Sequence, residues 1–287
     1  MTKYTPVPLS FICVQPDDGK CHDAPPIVFL HGLTSFKSHW GDVPQEVANA
    51  TKRKAYVIDA RNHGDSEWCD EFNFDCNVED LLHFMDYIGA KRATLVGHSM
   101  GGTTAIKTAL RAPERVESIV VEDMSVKRLP QASCDILARY LRIISRAVQE
   151  VPSDVDESTA KNIIGKIFLD NSPYAKKSVK PVDHQGAYQL KRMSDSRFYH
   201  SFNAEVLIKA FDKKAEEVTS ENTGEYCGPA AFIYGDKSPI QVGNDEEVIK
   251  RSFPNAVLMK IEEAGHEIHR DFSTEFKKSL VDFINTI

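Results

Sequence analysis

Short, almost wholly apolar runs alternate along this sequence with segments of helical periodicity, and this pattern restricts the fold strongly. Uninterrupted apolar runs are typical of parallel strands whose two faces are both covered by helices. The alternation therefore predicts an α/β protein with a mostly parallel central sheet. The clearest runs are Ile27–Leu30, Ala55–Ile58, Ala93–Val96, Ser118–Val121, Ala230–Tyr234 and Ala256–Ile261. Since ligands bind at the carboxyl ends of such strands, the polar clusters after these runs are expected to converge there.

The rhythm changes between residues 127 and 225, where the pattern is helical and contains no convincing strand. We expect residues 1–126 and 226–287 to form the core, and residues 127–225 to form an inserted helical cap. Apolar residues from Ile136 to Val148 recur within the cap at helical spacing. This helix either packs on the core or forms a lid that touches lipid or an apolar substrate, and packing is the commoner arrangement.

Composition and charge narrow the partners and the compartment. The 287 residues include 35 basic and 42 acidic side chains, a net charge of −7, which argues against a nucleic-acid-binding protein. The six cysteines have no paired spacing, which predicts free thiols in an intracellular compartment, the cytoplasm on this sequence. The sequence contains no run of about 18 apolar residues, so no transmembrane segment is predicted. Neither a cofactor nor a metal is expected, because no phosphate loop or metal-ligand spacing is found.

The pentapeptide Gly-His-Ser-Met-Gly, from Gly97 to Gly101, places Ser99 between an apolar strand and a helix. The match Gly-x-Ser-x-Gly alone arises by chance in roughly one chain in ten of this length. Its position makes it a candidate nucleophile elbow, because that motif requires a strand, a sharp turn and a helix. The glycines suit a strained turn with close backbone approach. Ser99 is therefore the predicted nucleophile.

Acyl transfer also needs two hydrogen-bond donors directed at the developing oxyanion. The N–H of Met100, directly after the nucleophile, is the first candidate. The second donor is expected from the loop after an earlier strand, where Leu33 follows His31-Gly32. Leu33 and Met100 are thus the predicted oxyanion hole.

His266 lies directly after the last apolar run and before the terminal helix. A loop there can return to the sheet edge and reach Ser99, so His266 is the predicted general base. His269 is its rival, and the pair His266-x-x-His269 could suggest a metal site. Such a site would need further carboxylate or histidine ligands, and none stands out in the sequence.

The acid of the triad has two candidates. The usual position follows the next-to-last strand, where Ser238 stands in Gly-Asp-Lys-Ser and Asp236 lies two residues early. Asp123 follows an earlier strand, from which a carboxylate can reach the far nitrogen of His266. The chain order nucleophile, Asp123, histidine is also the one that this kind of site uses, so Asp123 is favoured and Asp236 stays open. Glu122 is expected to point the other way, because side chains alternate along a strand.

These motifs resemble the α/β-hydrolase superfamily, and within it the α/β-hydrolase domain-containing proteins of type eleven and their bacterial esterase relatives. The likeness covers nearly the whole chain. It is carried by His31-Gly32-Leu33, Asp59-Ala60-Arg61-Asn62-His63-Gly64-Asp65-Ser66, Gly97-His98-Ser99-Met100-Gly101-Gly102 and Ala264-Gly265-His266-x-x-His269. The resemblance implies the α/β-hydrolase fold, with helices on both sheet faces and a helical cap inserted after the sixth strand. In the bacterial relatives the acid follows the earlier strand, which supports Asp123.

The resemblance further implies carboxylesterase or lipase activity, toward diacylglycerol-type esters and in mitochondria for the animal members. Its long central motif looks structural, with Arg61 and His63 bracing the crevice. Two departures alter the acyl pocket, because Thr34-Ser35 replaces Phe-Gly and Glu267 replaces an aromatic residue. The cap is the most diverged part, so the family's substrate range transfers poorly.

The residues together predict a serine carboxylesterase or lipase that forms an acyl-enzyme on Ser99, with Asp123 and His266 activating it. The expected partner is a small ester or lipid molecule, with transient contact to a lipid surface compatible with the cap helix and the oligomeric state left open. Two alternatives remain. One is a thioesterase or amidase with the same triad, and the other is a non-enzymatic small-molecule-binding protein of the same fold.

Overall fold

The computed structural model describes residues 4–171 and 188–287, and seven strands of this part form one sheet. The strands of this sheet are β1 (Phe11–Val14), β2 (Ile27–Leu30), β3 (Ala55–Ile58), β4 (Ala93–His98), β5 (Val116–Glu122), β8 (Ala230–Gly235) and β9 (Ala256–Ile261). Their order is β1-β3-β2-β4-β5-β8-β9, and every neighbouring pair is parallel except β1 with β3. The predicted mostly parallel sheet is confirmed, with β1 as an additional antiparallel edge strand.

Helices cover both faces of this sheet. They are α1 (Val43–Thr51), α2 (Phe74–Tyr87), α3 (Met100–Arg111), α8 (Glu246–Ser252), α9 (Ile268–Asp271) and α10 (Ser273–Ile284). The side chains of β2 explain the two layers, because Val28 and Leu30 pack in one apolar cluster with α2 and α3. Ile27 and Phe29 point to the opposite face and pack in a second cluster with α1 and α10.

Strand register brings the predicted catalytic residues to one edge. In the parallel pairs, Leu30 lies opposite Gly97, and His98 lies opposite Glu122. Ser99 and Asp123 therefore each follow one of two directly paired residues. The Ser99 N–H also donates a hydrogen bond of 3.1 Å to the carbonyl of Glu122, which ties the two strand ends together.

The segment predicted as the cap contains α4 (Gln131–Gln149), α5 (Glu157–Asn171), α6 (Ala204–Phe211) and α7 (Ala215–Val218). It also contains an antiparallel pair, β6 (Leu190–Arg192) with β7 (Phe198–His200), so the expectation of no strand there is wrong. Strands of three residues are too short to show a clear alternation in the sequence. Residues 172–187 of the predicted cap lie outside the described residues.

The cap segment follows the fifth strand of the described chain, and its predicted place after the sixth is wrong. The reason is that, in the described residues, β1 alone precedes β2, one strand fewer than the resemblance implies. Within residues 4–171 and 188–287, no helix combines the length and apolar character needed to cross a membrane.

The apolar stripe of α4 is buried, as the packing interpretation expects. Leu141 and Ile144 are fully buried in a cluster shared with α5 and α6, whereas Ile136 is 37% exposed. The cap segment meets the core at the 59–66 loop, where Lys191 Nζ lies 2.8 Å from Asp65 Oδ1. A backbone hydrogen bond from Asn203 to Asn62 adds to this contact.

Candidate active site

Ser99 stands in a strained turn between β4 and α3. Its φ of 52° and ψ of −111° are values that side-chain-bearing residues rarely adopt. The flanking glycines are required sterically, because a Cβ on Gly101 would lie 2.0 Å from the carbonyl oxygen of Leu30. A Cβ on Gly97 would lie 2.3 Å from the carbonyl oxygen of Gly101. The sequence thus folds locally into a nucleophile elbow with a partly exposed serine at its tip.

Asp123 and His266 are in direct contact. His266 Nδ1 lies 2.6 Å from Asp123 Oδ2, and the carboxylate is fully buried while the histidine side chain is 32% exposed. Because the carboxylate accepts a hydrogen from Nδ1, the Nε2 atom of His266 is left as the basic nitrogen. Asp236, the alternative acid, instead pairs with Lys237 at 3.0 Å.

The buried carboxylate of Asp123 is supported from the neighbouring strand. The Ser238 hydroxyl donates to Asp123 Oδ2, and the Gly235 N–H donates to Oδ1 at 3.3 Å. Ser238 is itself oriented by the Ile240 N–H, 3.1 Å from its Oγ. The residue at the usual acid position therefore hydrogen-bonds the carboxylate that stands one strand earlier. Sequence reasoning noted Ser238 only as a missing acid and did not find this role.

The environment of His266 favours its protonated form. Burial lowers the pKa of His266, but the hydrogen bond and charge of Asp123, together with Glu267 and Glu122, outweigh burial and raise it above its ordinary value. The negative charge of Asp123 thus favours a protonated imidazole at His266.

The groups that would meet a substrate are unpaired within the described residues. Among residues 4–171 and 188–287, neither Ser99 Oγ nor His266 Nε2 has a hydrogen-bond partner, and they are not bonded to each other. The backbone N–H groups of Leu33 and Met100 are likewise unpaired there. Unbonded donors beside a strained serine suit an oxyanion, and catalytic hydrogen bonds often form only once substrate binds.

Two neutral histidines hold the loop that carries Leu33. His31 Nδ1 donates to the Gly32 carbonyl at 2.7 Å, and its Nε2 accepts from the Ala60 N–H at 3.0 Å. His63 bridges the same two loops, since its Nε2 accepts from the Thr34 N–H at 3.2 Å. Burial lowers the pKa of His63 to about 3, so it remains neutral in this role. The bracing role that the resemblance implied for His63 matches these contacts.

Comparison with known proteins supplies the family. The family described as alpha/beta hydrolase fold matches residues 25–272. The chain belongs to the alpha/beta hydrolase fold family. Both the predicted family and the predicted fold class are therefore confirmed.

Relatives of this α/β-hydrolase include both hydrolases and acyltransferases. The sn-1-specific diacylglycerol lipase ABHD11 of Danio rerio is 31% identical over 273 residues, covering 93% of this chain and 80% of that protein. Ethanol acetyltransferase 1 of Eremothecium cymbalariae is 26% identical, covering 92% of this chain and 76% of that protein. A solved marine microorganism esterase superposes with a TM-score of 0.77 at 23% identity, covering 96% of this chain and 99% of that one.

The rim of the site differs chemically from what the resemblance implies. Thr34 Oγ1 lies 3.1 Å from the hydroxyl of Tyr140 on α4, so the oxyanion loop and the cap segment are linked. Glu267 pairs with Arg270 Nη1 at 2.7 Å. Although burial opposes ionisation, the charge of Arg270 and of nearby histidines lowers the pKa of Glu267. The ionised carboxylate of Glu267 therefore stands directly after His266 in this α/β-hydrolase.

A second polar cluster lies beneath the triad, and sequence reasoning missed it. His98, Glu122 and His269 are buried, and one potential metal-ligand atom of each lies within 4.8 Å of the others. Sequence spacing does not show this group, because the three residues come from β4, β5 and α9. His266, the other histidine of the pair that the sequence suggested as a metal site, is not part of this cluster. Glu122 points to His269 and Asp123 to His266, as strand alternation predicts.

Proposed function

We propose that this α/β-hydrolase is a serine esterase that cleaves carboxylic esters through an acyl-enzyme on Ser99. The observation that supports this most is the 2.6 Å contact between the buried Asp123 carboxylate and His266 Nδ1. Asp123 directly follows Glu122, and Glu122 is paired with His98, the residue before Ser99. Membership of the hydrolase family and the lipase among its relatives support an ester as the substrate.

In the first half of the proposed reaction, Ser99 Oγ attacks the ester carbonyl and its proton passes to His266 Nε2. Asp123 stabilises the resulting imidazolium, while the N–H groups of Leu33 and Met100 donate to the oxyanion. The alcohol then leaves with the proton from His266, and the acyl group stays on Ser99.

In the second half, a water molecule gives its proton to His266 and attacks the acyl carbonyl. The same oxyanion donors stabilise the second tetrahedral intermediate. Its collapse returns the proton to Ser99 and releases the carboxylic acid. No residue changes its net protonation over the cycle, which is the balance that hydrolysis requires.

We further propose that residues 127–225 act as a cap over an acyl pocket for apolar groups. Leu33 and Met100 belong to the same apolar cluster as Leu137 and Tyr140 of α4, so the oxyanion loop, the elbow and the cap share one hydrophobic lining. This lining suits the acyl chain of a lipid ester, including the diacylglycerol type that the relatives' name describes.

An ester panel of increasing acyl length, measured on wild type beside Ser99→Ala, tests this proposal. We expect turnover of several p-nitrophenyl esters by wild type and loss of turnover in the variant by about 10⁴-fold or more. Equal rates for the two proteins on every ester would contradict it. Thioester and amide analogues in the same panel separate the alternative leaving groups.

Acyl transfer to an alcohol is a second candidate, favoured by the relatives named ethanol acetyltransferase. It uses the same acyl-enzyme, with an alcohol in place of water in the second half. Adding ethanol to the ester assay and measuring ethyl ester against free acid distinguishes the two. Only free acid is expected for an esterase.

We also propose an intracellular location. All six cysteines, each within the described residues, are free thiols, as expected in a reducing compartment. Cytoplasm and mitochondrion both fit this observation.

A further inference from the structure

His98, Glu122 and His269 form a hydrogen-bonded network directly beneath the proposed triad. Glu122 Oε1 accepts from the backbone N–H of His269 at 2.8 Å, and both carboxylate oxygens lie 2.9 Å from His269 Nδ1. His98 Nε2 donates to the backbone carbonyl of His266 at 3.0 Å. The side chains of Glu122 and His269 are essentially inaccessible to solvent. All four contacts end on the 264–269 loop, which carries His266.

Each member of this network adjoins a member of the proposed triad in sequence. His98 precedes Ser99, Glu122 precedes Asp123, and His269 lies three residues after His266. Glu122 ends β5, whereas Asp123 follows it with a left-handed φ of 48°, and each carboxylate meets a different histidine. The backbone that presents the triad is therefore the backbone that carries the network.

These hydrogen bonds fit a network that holds side chains and backbone in place better than they fit a site that binds a ligand. Burial, with the neighbouring His266 and His269, lowers the pKa of His98 far below its ordinary value, so the ring is neutral with its hydrogen on Nε2. Glu122 uses both oxygens on His269, and a metal ion would have to displace those bonds. His98 Nδ1 and His269 Nε2 are unpaired among the described residues, which leaves metal binding as an outcome to be tested.

We propose that Glu122, His269 and His98 are positioning residues that fix the 264–269 loop and thereby hold His266 in line with Ser99. This inference rests on the proposed function. A buried carboxylate that accepts from a backbone N–H and an imidazole is a strong, directional anchor. Its loss would let the loop move, and displacement by about 1 Å can reduce turnover by about 10²-fold.

The test is a kinetic comparison of Glu122→Gln with wild type, using a soluble p-nitrophenyl ester. We expect kcat to fall by about tenfold or more with little change in KM, because substrate contacts are unaltered. The acidic limb of the kcat/KM profile should also move to lower pH, because one negative charge near His266 is removed. The other titratable groups facing His266 are Asp123, Glu267 and His98, and all three remain.

Glu117→Gln is the matched control. Glu117 lies on the same strand as Glu122, about 17 Å away along it, and pairs with Arg53. The Glu117→Gln substitution removes the same negative charge from a comparable ion pair, so kcat and the pH profile should be unchanged. An equal loss of kcat in both variants would show that the network is merely structural and would overturn the proposal.

Variants of His269 provide a second, independent readout. His269→Asn keeps a donor where Nδ1–H stands, whereas His269→Leu keeps none, so Asn should retain the larger kcat. Zinc bound stoichiometrically to wild type and lost from Glu122→Gln would assign the cluster to a metal and overturn the positioning role.

Wild type and Ser99→Ala are measured alongside these variants. If wild type hydrolyses no ester, the proposed function itself fails. If wild-type activity depends on Ser99 while Glu122→Gln keeps the wild-type kcat and pH profile, only the positioning proposal fails.

Discussion

At the scale of single residues, the proposed acid of the triad, Asp123, depends on the groups that hold its carboxylate. Its carboxylate contacts His266, the Ser238 hydroxyl and the Gly235 N–H, which come from two different segments after β5. Asp123 itself has a φ of 48°, a left-handed conformation that directs its side chain into this set of donors. Strain at Asp123 and at Ser99 is thus concentrated where the proposed chemistry occurs.

Replacing the acid should remove most of the activity without unfolding the protein. Asp123→Asn is expected to lower kcat by about 10⁴-fold, because the imidazole loses its orientation and its stabilising charge. Asp236→Asn is the control, since the Asp236 carboxylate forms its ion pair with the neighbouring Lys237 and not with His266. Near-normal kcat in Asp123→Asn, with a large loss in Asp236→Asn, would reverse the assignment. Circular dichroism of both variants checks the fold.

The pH dependence follows from the raised pKa of His266. A general base must be neutral to accept a proton, so kcat/KM should fall as pH drops through a midpoint above the ordinary histidine value of 6.5. Glu267→Gln removes one of the charges that raise this pKa and should move the midpoint to lower pH. Glu263→Gln, on the same loop but exposed, is the control and should leave it in place. An unchanged midpoint of the kcat/KM profile in Glu267→Gln would contradict the proposed effect of the Glu267 charge on His266.

At this scale, the residues that could be predicted from the sequence are those whose neighbours in the chain form a recognisable pattern. Ser99 stands out because strand, glycines and helix are contiguous, and His266 because it follows the last strand. The Ser238 bond to Asp123 joins residues 115 positions apart, and the Glu122–His269 pair joins residues 147 apart. Such contacts depend on loop conformation, which no local pattern encodes, and they were not predicted.

At the scale of elements, α4 connects the cap segment to the oxyanion loop. Periodicity predicted the apolar stripe of α4. Neither the packing interpretation nor the lid interpretation of that stripe gave its residues individual roles. In the structure Ile144 is fully buried among cap helices, so a charge there would disrupt the cap and report nothing on substrate. Tyr140 is the residue of this helix that contacts Thr34 of the oxyanion loop.

Removing the Tyr140 side chain should therefore change substrate preference. Tyr140→Ala is expected to raise KM for long-chain esters several-fold more than for acetate esters, because long acyl chains need the cap lining. Ile136→Ala, on the exposed side of the same helix, should behave as wild type for both. Comparison of the two variants on acetate and decanoate esters measures the effect, and equal changes on both esters would leave Tyr140 as a structural residue.

The elements that escaped prediction were the shortest or the least apolar. β6 and β7 have three residues each, and β1 reads Phe-Ile-Cys-Val with its middle residues exposed. The long buried strands were found because burial on both faces requires uninterrupted apolar residues. Hydrophobic pattern thus identifies six strands of this sheet and becomes uninformative for the edge strand β1 and in the cap.

At the scale of the whole molecule, the segment predicted as the cap contacts the core at the 59–66 loop. The 59–66 loop joins the two parts, because Asp65 binds Lys37 of the core at 2.6 Å and Lys191 of the cap segment at 2.8 Å. The rim residues Glu267 and Thr34 give this chain a more polar entrance than the resemblance implies.

Covalent labelling of Ser99 tests the central claim most directly. Folded wild type is treated with a fluorophosphonate, and the modified peptide is located by mass spectrometry. We expect one stoichiometric adduct on Ser99, formed at a rate that falls sharply in His266→Ala and Asp123→Asn. Folded wild-type protein in which Ser99 stays unlabelled, or in which another serine takes the label, would contradict it.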